Sequence, residues 1–381
     1  DAAVANFSVN ATLLDSTAEA FRETLAGIHK DVDPSLLLTY PSALLTYTQA
    51  AGLPEHRAAA ARWIARTGLD TGPDALILTM GAQQALAAAM DVVALPSRHV
   101  FVERLSYPVL KRIAAHRGVR LTGIALDGEG MVPEALDAAA RAALDVRAVF
   151  VVPTLQNPTA ATMSTARRET IAAVARARNL TIVEDDVYGY VATDRPAPLA
   201  THAPERTVYL TSASKCTAPG LRVGWLVAPP ALREMLTDAV YATALTQPAL
   251  THEILRRWIE DGTAARLVGE MRDEIAIRHR MTEAAFADLD YIENPSSPHI
   301  LLPLPEGWRS DDFVAAIAAR GYLLAPIEAF AVGPDPAPPA VRISLGAVTD
   351  RAVLAGCLAA IRETLDGRRP ADRPPSDRMV I

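Results

Sequence analysis

The chain has 381 residues, of which 50% are hydrophobic and 21% are charged, and its formal net charge is −7 at pH 7. A chain of this length can bury a substantial core and is more typical of two domains than of one. Because acidic residues outnumber basic ones, no excess of Lys and Arg is present to neutralise a nucleic-acid backbone. No apolar run is long enough to span a membrane. With two cysteines, no metal-binding spacing and no signal-peptide pattern, we expect no metal site and a cytoplasmic location.

The middle of the chain alternates short β-branched runs with Ala-rich helical stretches such as GAQQALAAAMDVVA and STARRETIAAVARARN. The short runs are apolar almost throughout, which is typical of strands buried on both faces of a parallel sheet. Such an alternation predicts an α/β fold with an open, mostly parallel sheet. The predicted strands lie at 75–80, 99–104, 119–126, 147–153, 180–185, 207–211 and 223–229.

The pattern changes after Pro230, where three long helices are predicted, followed by the strands HILLPLP and AVRISLG and two further helices. This later part predicts a smaller α+β unit, and we expect the N-terminal 45 residues to join it. The predicted large domain therefore covers residues 46–245, and the small domain covers residues 1–45 and 246–366. Residues 367–381 are rich in Pro and Arg and are predicted to be a disordered tail.

Lys215 is the first candidate functional residue. It is one of only three lysines in the chain, and it lies directly after a predicted buried strand and before a Pro-Gly pair that ends any helix. A desolvated lysine can form an imine whereas arginine cannot, so Lys215 is a candidate Schiff-base nucleophile. Ser212, Ser214 and Arg222 flank it, and two hydroxyls with a guanidinium suit a phosphate dianion.

Other polar residues follow three more predicted strands, at the sheet edge where such folds bind ligands. They are Gly81, Ala82 and Gln83 before a helix, Asn157 in the segment QNPT, and Asp185 and Tyr188 in the segment EDDVY. Free N–H groups at the start of a helix favour a phosphate. A phosphate site, an imine-forming amine, an acid and a phenol together suit pyridoxal phosphate.

These segments resemble the fold type I, class I/II aminotransferases over nearly the whole chain. The segments that carry the resemblance are YTQAAG with Tyr47, GAQQ, SYP with Tyr107, QNPT, EDDVY, SASKCTAPGLR and VRISLG with Arg342. More narrowly, PTLQNPTAATMSTARRE, HILLPLPEGW and AVRISLGA look like the aminotransferase-like domain of MocR-type regulators of the GntR family. The resemblance implies the fold type I architecture, with a mostly parallel seven-stranded sheet in the large domain and a smaller α+β domain.

The resemblance also implies pyridoxal 5′-phosphate as the cofactor, with Lys215, Asp185 and Tyr188 as the catalytic residues. Lys215 would hold the cofactor as an internal aldimine and transfer the proton. Asp185 would pair with the pyridinium nitrogen, Asn157 and Tyr188 would hydrogen-bond the 3-oxygen, and Tyr107 would stack on the ring.

Further residues would hold the phosphate and the ligand. The implied phosphate site consists of Gly81, Ala82, Gln83, Ser212, Ser214 and Arg222, with Tyr47 contributed by a second subunit. Arg342 would bind the carboxylate of the ligand as a fork, and Asn157 is the second predicted ligand-binding residue. A site that takes Tyr47 from a neighbour implies a two-fold homodimer.

The resemblance to MocR-type regulators implies an effector-binding and dimerisation domain that forms an external aldimine with a small amino acid or amine. In that reading, DNA is bound only through a winged-helix domain that is not part of this sequence. Two alternatives stay open. One is a free-standing aminotransferase that transfers an amino group from an α-amino acid to a 2-oxo acid, and the other is a structural dimerisation module with a vestigial site.

Several of these residues have simpler interpretations. The segment SASK also matches the Ser-x-x-Lys nucleophile motif, although its partner motifs Ser-Asp-Asn and Lys-Thr-Gly are absent. Cys216 could be redox-active or a buried thiol, Asp185 could be an anion paired with an arginine, and Arg342 could form a surface ion pair. Ala160 replaces the glycine of the family's Asn-Pro-Thr-Gly turn, which would cost about 1 kcal/mol or more if this position requires a positive φ. Ala82 stands where the family often has a hydroxyl, and it offers only its backbone N–H.

Overall fold

The computed structural model describes residues 4–10, 14–31, 44 and 46–367, without the side chains of residues 29–31. In this part of the chain the α-helices are α1 (Asp15–Asp31), α2 (Pro54–Ala65), α3 (Ala82–Val93), α4 (Pro108–His116), α5 (Pro133–Ala142), α6 (Thr165–Ala177), α7 (Arg233–Ala244), α8 (Ala249–Glu260), α9 (Thr263–Ala285), α10 (Ser310–Ala318) and α11 (Arg351–Asp366). The strands are β1 (Ala5–Asn6), β2 (Leu76–Thr79), β3 (His99–Glu103), β4 (Arg120–Ile124), β5 (Leu126–Asp127), β6 (Gly130–Met131), β7 (Ala148–Val151), β8 (Thr181–Asp185), β9 (Thr207–Ser212), β10 (Gly224–Val227), β11 (His299–Pro303), β12 (Tyr322–Leu323), β13 (Ala325–Pro326) and β14 (Ala340–Ser344).

A seven-stranded sheet forms the centre of the fold, in the order β2-β10-β9-β8-β7-β3-β4. Neighbouring strands pair in parallel, except that β10 is antiparallel to both β2 and β9. All residues of β3, β7 and β9 are buried, which explains why these strands lack an alternating polar pattern. The prediction of an α/β fold with a mostly parallel sheet of seven strands is therefore confirmed.

Helices cover both faces of this sheet. Successive residues of β7 point to opposite faces, so that Ala148 and Phe150 pack in a core with α3 and α4, whereas Val149 packs in a core with α5 and α6. At the β2 edge, Trp63 of α2 and Trp258 of α8 share a third core. Each large apolar side chain that is fully buried in these cores contributes about 1.5–3 kcal/mol.

A second, smaller sheet has the antiparallel order β11-β14-β13 and packs with α10 and α11. The N-terminal strand β1 pairs in parallel with β12, and Phe7 lies in the same core as this sheet. The N-terminal segment is therefore beside the C-terminal part of the chain. The domain boundaries placed at residues 46 and 246 stay predictions, and residues 368–381 of the predicted tail lie outside the described residues.

The turns after the central strands bring polar residues to one edge of the sheet. Gly81 is the N-cap residue of α3 and lies two positions after the end of β2, and Asp185 is the last residue of β8. A short 3-10 turn, Ala213–Lys215, follows β9. Because β2, β8 and β9 are parallel to one another through the sheet order, their carboxyl ends meet at this edge.

The described residues contain neither a membrane-spanning helix nor a cluster of metal ligands. None of the helices there combines the length and the apolar character needed to cross a membrane. Nor do three His, Cys, Asp or Glu side chains in those residues come together in a way that could hold a metal ion.

Candidate functional site

Lys215 is largely enclosed at the sheet edge. Its Nζ donates a hydrogen bond to the backbone oxygen of Asn10. Burial, together with the positive charges of Arg342 and Arg222 and against the opposing charge of Asp185, lowers the pKa of Lys215 to about 8. A sizeable fraction of the amine is therefore neutral near neutral pH, which is the form that can act as a nucleophile.

The neighbours of Lys215 do not support the two simpler interpretations of this segment. The hydroxyl of Ser212 accepts a hydrogen bond from the backbone N–H of Ser214, and it is not among the described partners of Lys215. Cys216 is fully buried, and burial raises the pKa of its thiol to about 12. A thiol in that state is a poor nucleophile, so the structure supports a packing role for Cys216.

Asp185 is a buried acid, and the described residues provide no salt-bridge partner for it. Its carboxylate accepts a hydrogen bond of 3.3 Å from the backbone N–H of Val187. Burial raises the pKa of Asp185 to about 7, the neighbouring charge of Asp186 adds to the rise, and Lys215 opposes it. A cation beside Asp185 would stabilise its ionised form, which is the environment that a protonated ring nitrogen provides.

The two acids next to Asp185 are already engaged. Asp186 accepts hydrogen bonds of 2.8 and 2.7 Å from Arg195 and one of 2.8 Å from Tyr209. Glu184 accepts hydrogen bonds from the backbone N–H groups of residues 199 and 200, at 2.8 and 2.7 Å. Of the three consecutive acids, Asp185 is therefore the one left to meet a ligand, and the alternative of an arginine-paired Asp185 does not apply.

Tyr188 belongs to a buried group of polar residues that sequence reasoning missed in part. Its phenol oxygen accepts a hydrogen bond of 2.8 Å from Asn10 Nδ2, and the same nitrogen lies 2.9 Å from His299 Nδ1. Burial raises the pKa of Tyr188 to about 12, so the phenol keeps its proton. Asn10 lies in an N-terminal segment without a motif, and the only signal for His299 was a histidine at the start of an apolar strand.

Arg342 is buried, with 3% of its surface exposed, on β14 of the smaller sheet. One nitrogen donates a hydrogen bond of 3.1 Å to Asn157 Oδ1, another donates to the backbone oxygen of Ser8, and Nε has no partner in the described part of the chain. Burial lowers the pKa of Arg342 to about 10, so it stays charged at neutral pH. The alternative of a surface ion pair is wrong, because this guanidinium is buried and has no carboxylate partner among the described residues.

The turn that carries Asn157 is held by a buried acid. Glu103, at the end of β3, accepts a hydrogen bond of 3.0 Å from Gln156 Nε2, and Gln156 Oε1 accepts from the N–H and hydroxyl of Thr159. Burial raises the pKa of Glu103 to about 8, and no sequence signal separated this residue from other strand ends. Ala160 has a φ of +57°, so the turn does need the left-handed conformation that an alanine adopts at a cost.

The implied phosphate residues lie where β2, β9 and β10 approach one another. Gly81 has a φ of +78°, and a Cβ added to it would lie 2.7 Å from Arg222 Nη2. Arg222 donates to the backbone oxygen of Met80 at 3.3 Å and lies 3.5 Å from the hydroxyl of Ser214. The start of α3 adds backbone N–H groups without helical partners, so this corner combines positive charge and free donors. The predicted residues Ala82 and Ser212 are here as well, half-buried and buried, and Gln83 is exposed.

Two tyrosines complete the predicted set. Tyr107 precedes α4 and is half-buried; burial and the charge of Asp185 raise its pKa, against the opposing charges of Arg222 and Arg342. Tyr47 is 81% exposed. Its contribution to the site of a second subunit stays a prediction.

Twelve of the thirteen predicted site residues thus lie around one edge of the central sheet, with Arg342 reaching it from the smaller sheet. A sequence model of the family described as aminotransferase class I and II matches residues 2–361. The chain belongs to this family. Membership implies pyridoxal phosphate as the cofactor.

Relatives in this family include both regulators and enzymes. The HTH-type transcriptional regulator YdeF of Bacillus subtilis (strain 168) is 28% identical over 309 residues, which cover 81% of this chain and 66% of YdeF. Aromatic-amino-acid aminotransferase 1 of Thermococcus litoralis is 25% identical over 79% of this chain and 75% of its own length. The chain spans about half to two thirds of the length of the regulators that it matches.

Solved aminotransferase structures share the fold. The crystal structure of Pyrococcus horikoshii kynurenine aminotransferase in complex with PMP superposes with a TM-score of 0.84, covering 95% of this chain and 91% of that chain at 24% identity. The fold type I architecture that the sequence predicted is therefore confirmed for this aminotransferase-family chain.

Proposed function

We propose that this chain binds pyridoxal phosphate and recognises a small amino compound as the effector-binding and dimerisation domain of a MocR-type transcription regulator. The observation that carries the proposal is the joint presence, at one sheet edge, of Lys215, the buried cation Arg342 and the buried acid Asp185, which has no salt-bridge partner among the described residues. The similarity to the HTH-type regulator YdeF over 81% of the chain supports the regulatory setting. DNA would be bound through a further domain outside this chain.

The residues of the site fit pyridoxal phosphate. The corner formed by Gly81 and Arg222 has no room for a Cβ, yet it presents a guanidinium and the start of α3, as a phosphate requires. Asp185 is a buried acid whose ionised form needs a cation, and Asn10 Oδ1 is a buried acceptor that has no partner among the described residues. Gly81, Ala82, Gln83, Ser212, Ser214 and Arg222 would hold the phosphate, Asp185, Asn157, Tyr188 and Tyr107 would hold the ring, and Lys215 would form the covalent link.

The chemistry divides between the cofactor and the protein. When bound, pyridoxal phosphate supplies an electron-poor ring next to the α carbon of the ligand. Lys215, with a pKa near 8, can both accept and return a proton at neutral pH. Arg342 would bind a carboxylate of the ligand through its two terminal nitrogens, replacing the backbone oxygen of Ser8. Asp185, ionised beside a cation, would keep the ring protonated.

A homodimer forms part of the proposal. Tyr47 is 81% exposed, as expected for a side chain that contacts a second subunit. Sedimentation of the unmutated chain at micromolar concentration should give about twice the chain mass. A monomer that still binds the cofactor at full strength would contradict the assignment of Tyr47 to a neighbouring site.

The visible absorption spectrum tests the proposal directly. The purified chain is mixed with pyridoxal phosphate and then titrated with α-amino acids and with their decarboxylated amines. We expect a visible band that depends on Lys215, and a shift of that band with an amino ligand without release of a keto acid. A chain that forms no such band would contradict the cofactor assignment and would favour the vestigial module.

A free-standing aminotransferase is the second candidate, supported by the similarity to the Thermococcus litoralis enzyme over 75% of its length. The same titration separates the two functions. Conversion of the cofactor to its amine form, with one keto acid released for each amino acid consumed, would establish transamination and count against the regulator.

A further inference from the structure

Four buried residues form a continuous hydrogen-bonded chain that ends at Tyr188. The backbone oxygen of Gln156 lies 3.1 Å from His299 Nε2, and His299 Nδ1 lies 2.9 Å from Asn10 Nδ2. Asn10 Nδ2 in turn lies 2.8 Å from the phenol oxygen of Tyr188. These hydrogen bonds connect the N-terminal segment, the large sheet and the smaller sheet within the proposed site.

The proton on His299 can be assigned from its partners. Burial, with the positive charges of Arg342 and Lys215 and with His279 nearby, lowers the pKa of His299 to about 3, so the ring is neutral and carries one N–H. The backbone oxygen of Gln156 can only accept a hydrogen bond, so the N–H must be on Nε2. Nδ1 of His299 is therefore an acceptor.

The acceptor on His299 fixes the orientation of the next two groups. Asn10 must direct its amide nitrogen, not its oxygen, towards His299 Nδ1. The second hydrogen of that nitrogen is then donated to Tyr188, whose oxygen accepts it. The phenol's own proton takes no part in this series of hydrogen bonds, so Tyr188 can donate it to a bound ligand. Within the described part of the chain, Asn10 Oδ1 is left as a buried acceptor without a partner.

We propose that His299 is a positioning residue that, through Asn10, sets Tyr188 as a hydrogen-bond donor towards the ring oxygen of the cofactor. This inference rests on the proposed function. Without His299, the amide of Asn10 is free to turn, and its oxygen can then take the proton of Tyr188. The titratable groups that act on Tyr188 include Arg342, Tyr107 and Asp185, and the ring of His299 lies 5.7 Å from its ring; none of the four accepts that proton in the described hydrogen bonds.

The first test needs no cofactor. The unmutated chain is labelled with ¹⁵N-histidine, and the His299 signals are assigned by their loss in His299→Gln. We expect the neutral Nε2–H form of His299 from pH 5 to pH 9. A neutral Nδ1–H form, or a doubly protonated ring in this range, would overturn the inference.

The second test follows the visible band of the cofactor-loaded chain as a function of pH. When the ring oxygen loses a hydrogen-bond donor, the nitrogen that links Lys215 to the ring becomes more basic. Tyr188→Phe should therefore raise the midpoint of the pH titration of the visible band by about one pH unit. His299→Leu should raise it similarly. His299→Gln is the matched control, because its amide can donate to Gln156 and accept from Asn10, and its midpoint should stay within about 0.3 of the unmutated value.

A double-mutant cycle separates positioning from a general structural effect. In the Tyr188→Phe background, His299→Leu should produce no further shift, because the donor that it orients is already gone. Additive shifts, an unshifted His299→Leu, or a His299→Gln that shifts as far as His299→Leu would overturn the inference while leaving the proposed function intact. If the unmutated chain forms no Lys215-dependent band, the proposed function fails and this inference with it.

Discussion

Replacing Arg342 by methionine should remove the carboxylate-binding group with little change in side-chain volume. Arg342 is buried and charged, and its described hydrogen bonds are to two neutral oxygens, Asn157 Oδ1 at 3.1 Å and the backbone oxygen of Ser8. A ligand carboxylate would therefore gain a charged hydrogen bond. Such a bond contributes about 1.5–3 kcal/mol, which corresponds to a loss in affinity of about 10- to 150-fold when it is removed.

The assay compares each α-amino acid with its own decarboxylated amine, using the ligand-induced change in the visible spectrum. In Arg342→Met, the dissociation constant for L-phenylalanine should rise by the factor above, whereas that for phenethylamine should stay within about twofold. Arg342→Lys keeps the charge but loses the planar fork, so it should show an intermediate loss for the amino acid.

Two outcomes would refute this reasoning. If the amino acid and the amine lose affinity equally in Arg342→Met, the substitution has disturbed the site in general. If neither loses affinity, the carboxylate is bound elsewhere. Near-ultraviolet circular dichroism of each variant provides the check that the fold is retained.

Three further predictions concern the cofactor residues. Lys215→Ala should abolish the visible band that pyridoxal phosphate gives with the unmutated chain, and a retained band would place the covalent link elsewhere. Burial raises the pKa of Asp185 to about 7. The cofactor-free protein therefore loses stability as the pH rises from about 4 to 7, because the folded state resists the ionisation of Asp185. Chemical denaturation should therefore show that cofactor-free Asp185→Asn is more stable than the unmutated chain by about 2–4 kcal/mol at pH 8. Below pH 4 the two proteins should be equally stable. Equal stability at both pH values would contradict the buried environment assigned to Asp185. Gly81→Ala should weaken the binding of pyridoxal phosphate by about tenfold or more, because the added Cβ meets Arg222. Gly118→Ala is the control for backbone strain, because Gly118 also has a positive φ, +62°, but no atom lies within 4 Å of an added Cβ. Equal cofactor affinity in the two variants would contradict the phosphate site.

The central sheet could be predicted from the sequence because its strands are short, nearly continuous apolar runs between Ala-rich helices. In a parallel sheet, residues that follow different strands meet at one edge, so Lys215, Asp185 and Gly81 could be grouped without coordinates. The motif order then identified the family. Local pattern was sufficient for these residues because the strand that precedes each of them fixes its position.

Other parts of the site depend on contacts between distant segments. Asn10 and His299 are 289 positions apart, and their hydrogen bond has no local pattern that could reveal it. Glu103 is one of several charged strand ends, and only packing against Gln156 distinguishes it. Arg342 was one arginine among many, and its burial could be seen only once the smaller sheet was placed beside the large one.

The sequence by itself thus determined the fold class, the family and the residues attached to the ends of the central strands, because each of these depends on short-range periodicity and spacing. The tertiary structure decided which acid of the Glu184–Asp185–Asp186 series has no salt-bridge partner among the described residues. It also buried the guanidinium of Arg342. It also decided how the N-terminal segment reaches Tyr188. These properties depend on desolvation and on long-range hydrogen bonds, which exist only after the chain has folded.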